Sequence, residues 1–99
     1  MKRLTLVCTL ATGMAAAAAA VDVDVDALWN FNDPAASEAR FREALTVAKG
    51  DDALVLRTQI ARALGLRQRF DEAHRELDAI EPALADAGAQ PRVRALLER

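Results

Sequence analysis

The stretch Gln59-Ile60-Ala61-Arg62-Ala63-Leu64-Gly65-Leu66-Arg67-Gln68-Arg69-Phe70-Asp71-Glu72-Ala73 decides how this 99-residue chain is read. In its first half, Leu56, Ile60 and then Ala63 or Leu64 recur at intervals of three and four, the spacing of one helix face. Ala61 is a small residue beside that stripe. In its second half, Phe70, Ala73, Leu77, Ile80 and Leu84 follow at 3, 4, 3, 4. Only Gln68-Arg69 remain for a turn. The spacing predicts a helix over about Ala53–Arg67, a tight connection, and a helix from Phe70 with Asp71 and Glu72 at its positive end. So short a connection makes the two helices antiparallel neighbours.

The flanks carry signals of the same kind. Asp33 can cap free helix amides, and Pro34 at the first helical position loses nothing by lacking one. Glu38 follows near the positive end of that helix. Phe41, Ala44, Leu45 and Ala48 then share a face, with Ser37 one turn earlier as a small packing residue. Gly50-Asp51-Asp52 is expected to end this helix and cap the next. Pro82 lies inside the Phe70 stripe and either kinks that helix or starts a second short one. Gly88 closes the element, and Pro91 opens a fourth helix with Val93, Ala95, Leu96 and Leu97. The expected fold class is all-α. Charge alternates along it: residues 21–52 hold 8 acids and 3 bases, residues 53–69 hold 4 bases and no acid, residues 70–86 hold 6 acids and 1 base, and residues 92–99 hold 3 bases and 1 acid. Such alternation specifies which faces meet and disfavours mispaired hairpins.

Short helices with tight turns invite a self-comparison. A shift of 36 residues overlays Ser37 on Ala73, Phe41 on Leu77 and Ala44 on Ile80. Residues 33–99 resemble the tetratricopeptide repeat, whose helix pairs stack into an α-solenoid. About one and a half repeats are covered. The resemblance implies that Ala61 and Ala73 lie where helix axes cross too closely for a branched side chain. It also implies that Phe41, Ala44, Ile60, Leu64, Phe70 and Leu77 pack within and between the pairs. The sequence departs from the family pattern in several places. The glycine usual in the turn is Gln68, the alanine usual at position 80 is Ile80, the proline comes early at Pro82, Ser37 replaces alanine, and no first helix precedes it. Solenoids generally need three or more repeats. The chain is therefore expected to be the front of a longer protein, or a subunit completed by a partner.

The segment before the repeat-like region reads as two parts. Lys2 and Arg3 precede an uncharged stretch, Leu4 to Ala20, that ends in an alanine run. Basic start, apolar middle and small-residue end are the parts of a secretory signal peptide. Residues 1–20 are expected to be that signal, exporting the protein to a periplasm or the outside, with membrane contact only through an uncleaved leader. Cys8, the only cysteine, lies within it and lacks the small residues that precede a lipidation site. Residues 21–32 read as a solvated acidic leader. Asp22, Asp24 and Asp26 imitate the start of a calcium loop, but Ala27 and Asp33 stand where that loop needs glycine and glutamate. Trp29 and Phe31 are expected to cover the end of the first helix pair.

Little here suits chemistry. His74 is the only histidine and sits beside the Phe70 stripe, as a solvated surface residue would. The acids Asp71, Glu72, Glu76, Asp78 and Glu81 spread round their helix rather than pairing for acid–base work. No phosphate-binding glycine loop occurs, and without residues 1–20 the chain carries 11 bases against 15 acids, unlike a nucleic-acid binder. A non-enzymatic protein–protein interaction module is expected, with no cofactor, metal, nucleic acid or small-molecule substrate. In the resembled family the first helix of each pair lines a concave groove that holds peptides. Here that helix carries arginines, and its face opposite Leu56, Ile60 and Leu64 presents Thr58 and Arg62, with Arg69 at the rim. A groove so lined favours an acidic or C-terminal carboxylate segment. A structural segment capping a larger helical assembly is the alternative.

Overall fold

The computed structural model describes residues 22–99. The signal-peptide expectation for residues 1–20 and the reading of Cys8 lie outside the described residues. Within them the chain is all-helical, with α1 Val25–Leu28, α2 Pro34–Leu45, α3 Gly50–Leu66, α4 Phe70–Leu84 and α5 Ala89–Glu98, and no strand. No helix among the described residues is long and apolar enough to cross a membrane.

Local chemistry accounts for most of the boundaries. The Asp33 carboxylate accepts from the Ala36 amide at 3.0 Å, with Pro34 in the first turn, so α2 starts where a free donor is satisfied. Helix α3 ends in a Schellman motif: the Arg69 amide donates to the Leu64 carbonyl and the Gln68 amide to the Gly65 carbonyl, both at 2.9 Å. Gln68 stands at the left-handed position of that motif, φ +61°, where glycine is usual. Pro82 is accommodated inside a continuous α4. Helix α5 begins at Ala89, earlier than Pro91.

The start of α3 differs from expectation. Gly50, with φ +58°, is already its first residue, so the helix is longer at this end than Ala53 implied. Asp51 and Asp52 hold other parts of the chain. Asp51 Oδ2 accepts from the Gly88 amide at 2.9 Å, and Asp52 Oδ1 accepts from the amides of Asp22 (2.9 Å) and Val23 (3.4 Å). Two acids at the positive end of α3 thereby fasten the α4–α5 connection and the N-terminal segment to the same point.

Helix α3 is the axis of the molecule. It packs against α2, α4 and α5, while α5 touches α4 much less and α1 rests on α2. A helix covered on three sides is buried on most of its circumference. Accordingly Val55, Leu56, Thr58, Gln59, Ile60, Ala61, Ala63 and Leu64 are all buried. Phe41 from α2 and Leu77, Ile80 and Leu84 from α4 complete the core, while Ala44 is half-buried against it. Each large apolar side chain buried here contributes about 1.5–3 kcal/mol relative to exposure.

The solvated leader expected over residues 21–32 is overturned in its described part. Asp24 caps α1 by accepting from the Ala27 amide, and Val25 and Trp29 are buried in the core. Trp29 meets Phe41 edge-on, with ring centroids 4.9 Å apart. Its indole Nε1 donates to Gln59 Oε1 at 2.8 Å, Gln59 Nε2 donates to Thr58 Oγ1 at 3.2 Å, and the Thr58 hydroxyl donates to the Val55 carbonyl at 2.6 Å. This buried chain satisfies each polar group that the core would otherwise strand. Ser37, also buried, accepts from the Asn30 amide at 2.8 Å and donates to the Asn30 carbonyl at 2.9 Å, pinning the backbone next to Trp29. The acidic alternation reads as solvated in sequence because its two anchoring side chains, Val25 and Trp29, are four residues apart and come to one side only once a helical turn forms.

The alternating charges meet across the helix junctions. Glu38 of α2 accepts from Arg67 just after α3 at 2.6 Å, Glu76 of α4 accepts from Arg57 of α3 at 3.0 Å, and Asp78 and Glu81 of α4 accept from Arg99 at the end of α5.

Candidate functional site

The residues expected to line a groove do not come together as a set. Thr58 is fully buried, its hydroxyl committed to Val55 and Gln59, and it presents nothing to a ligand. The expectation failed because it assumed one buried stripe on α3, whereas a second and third neighbour cover the opposite face. Arg69 lies in the α3–α4 turn and pairs with Glu72 at 2.6 Å, on a different surface from Arg62. Arg62 alone faces open space where a ligand could sit.

Its position is set from both sides. The guanidinium carbon lies 5.6 Å from the Trp29 ring centroid and 5.4 Å from that of Phe31. Those two rings stack nearly parallel, 6° apart in plane and 4.6 Å between centroids. A guanidinium over aromatic faces is held by the ring quadrupole while keeping its N–H donors available. Arg62 makes no carboxylate ion pair among the described residues.

On its other side Arg62 borders a cleft of about 370 Å³ between α3, α4 and the end of α5. Ala61, Gly65 and Ala73 make the room for it, with Leu77 behind them. Leu66 and Phe70 form apolar walls, and His74, Glu98 and Arg99 complete the rim. Phe70, expected to pack inside the repeat, is instead 58% exposed and stands beside this opening. It is the first residue of α4, where the backbone leaves the Schellman turn, and no element among the described residues covers it. Ala61 and Ala73 are buried and line the cleft floor with the little surface left to them.

Glu98 is the carboxylate of this cleft. Burial raises its pKa above the usual carboxylate value, and the nearby Arg62 and Arg94 charges oppose that rise. Arg99 is drawn toward α4 by its hydrogen bond to Glu81, which stabilises its charged form. The cleft thus joins apolar walls, a cation available for pairing and a partly desolvated acid. No group of three or more His, Cys, Asp or Glu residues able to hold a metal ion occurs among the described residues; Asp24, from the calcium-like triplet, is a helix cap.

Nothing in the sequence marks Gln59 or Ser37 as a bonding residue, though Gln59 opens the deciding stretch. An amide on a helix flanked by apolar residues gives a signal only when a distant donor, here the Trp29 indole, is known to reach it. A scan against family models finds no match for this chain, and neither curated proteins nor solved structures give a significant one.

Proposed function

We propose that this chain is a non-enzymatic interaction module of tetratricopeptide type that binds a protein or peptide segment at the cleft beside Arg62. The observation that carries the reading is Arg62 itself, an arginine steadied over Trp29 and Phe31, making no ion pair among the described residues, at the mouth of an apolar cleft whose rim includes Glu98. A peptide carboxylate would take the bidentate position on the guanidinium. An apolar side chain beside it would enter between Leu66 and Phe70. The contact of α5 with α3 supports the solenoid comparison, since first helices of successive repeats also adjoin.

The test is an array of peptides varied in charge and C-terminal residue, read with the full chain. Peptides pairing an acidic or C-terminal carboxylate with an apolar residue should be retained. Arg62→Glu should reduce their binding by about tenfold or more, the loss of a charge-assisted bidentate pair. Binding that ignores peptide charge, or that survives Arg62→Glu unchanged, would overturn the reading.

A further inference from the structure

The outward face of α5 has no partner within the described residues. The inward face consists of Pro91 and Ala95, both buried. At 100° per residue the opposite face carries Val93, Leu96 and Leu97, the last two 74% exposed. Arg92 and Arg94 flank this stripe on either edge. Neither makes an ion pair among the described residues, and Arg94 Nε is buried without a hydrogen-bond partner there. A shallow depression follows the face past Val93, Arg94 and Leu97.

We propose that this face docks an acidic amphipathic helix of a partner protein, its apolar stripe on Val93, Leu96 and Leu97 and its carboxylates on Arg92 and Arg94. Charge complementarity identifies the occupant. Three helix junctions of this chain follow one scheme, arginine of the cationic partner to carboxylate of the acidic one: Arg67 to Glu38, Arg57 to Glu76, and Arg99 to Asp78 and Glu81. Among the described residues cationic α5 has an acidic neighbour, α4, on one side only. A second copy of the chain is a poor occupant. Its other exposed large apolar residues among the described ones, Phe31, Val47, Leu66 and Phe70, form no stripe along one helix, and two α5 faces together would set arginine against arginine. This face is separate from the Arg62 cleft, toward which α5 turns Glu98 and Arg99, so either can fail without the other.

The test uses the full chain and two synthetic helical peptides of about four turns with the same leucine stripe, flanked by Glu in one and by Lys in the other. By fluorescence anisotropy the Glu peptide should bind at least about tenfold more tightly than the Lys peptide. Leu97→Ser, a change at an exposed position, should weaken the Glu peptide by about tenfold with helix content unchanged by circular dichroism. Arg92→Glu, equally exposed, should shift preference toward the Lys peptide. Equal binding of both peptides, or binding of neither, would overturn the proposal. So would Leu97-dependent dimerisation without peptide binding, or adherence to phosphatidylglycerol vesicles while the Glu peptide is ignored.

Discussion

Gln68 holds a left-handed backbone, φ +61°, because the α3–α4 turn closes with the hydrogen bonds of a Schellman motif. A side chain in that conformation costs about 1–2 kcal/mol, and glycine avoids it while adding some unfolded-state entropy. Gln68→Gly should therefore stabilise the protein by about 0.5–1 kcal/mol, seen as a higher urea midpoint at constant slope. An unchanged or lower midpoint would contradict it. The position was legible as a departure from the turn glycine of the repeat family the sequence resembles, but the strain was not. Glu98 makes a second prediction. Its raised pKa means that the folded state favours the protonated acid, so its contribution is fully present below the unfolded carboxylate range and is lost as pH rises through the folded value. Glu98→Gln should raise the melting temperature at pH 7 relative to wild type and bring no advantage at pH 3; a gain independent of pH would refute the assignment. Thr58 shows the opposite limit of sequence reading. A hydroxyl amid apolar residues can face a ligand or a carbonyl three residues back, and only the neighbours of α3 decide between them.

At the scale of elements, α2, α3 and α4 were legible because each carries caps or a sustained apolar spacing; the Phe70 stripe in particular places Ala73, Leu77, Ile80 and Leu84 as the structure buries them. The N-terminal segment was not legible. Its two buried anchors, Val25 and Trp29, follow an acidic alternation, and the segment's attachments, from Trp29 to Gln59 and from the Asp22 and Val23 amides to Asp52, reach about thirty residues away. Asp52 is the accessible lever. Asp52→Ala should release the amides of Asp22 and Val23, lower stability by about 1 kcal/mol, and accelerate hydrogen exchange of the Val23 amide while leaving those of α4 unaffected. Uniform acceleration through all helices, or none at Val23, would show that the carboxylate does not fasten the segment.

For the whole molecule, what matters is that α2, α4 and α5 all depend on α3. Ile60 lies fully buried in it. Ile60→Ala should cost about 2–5 kcal/mol, a large part of the stability of a small domain. The loss should appear as one cooperative helical transition moved down by at least about 10 °C, since no neighbour keeps its own core. A variant that lost only part of its helix signal would mean separable units. The all-α class and the pairing by opposite charge could be read in advance from Arg57 and Glu76 or Arg67 and Glu38, whose blocks of sign predicted the junctions they join. The wrapping of α3 could not, because a single stripe is indistinguishable in sequence from the most apolar sector of a helix enclosed on three sides.

The indole at the base of the N-terminal segment also makes the protein its own optical probe. Trp29 is the sole tryptophan and there is no tyrosine, so ultraviolet emission arises from one spot, shielded by Phe41, hydrogen-bonded to Gln59 and overlaid by the Arg62 cation. Undocking of residues 22–30 would shift that emission to the red as water reaches the ring. A ligand drawing Arg62 aside would alter its intensity without the red shift. Two events more than thirty residues apart in sequence can therefore be told apart by colour and brightness in an unlabelled sample.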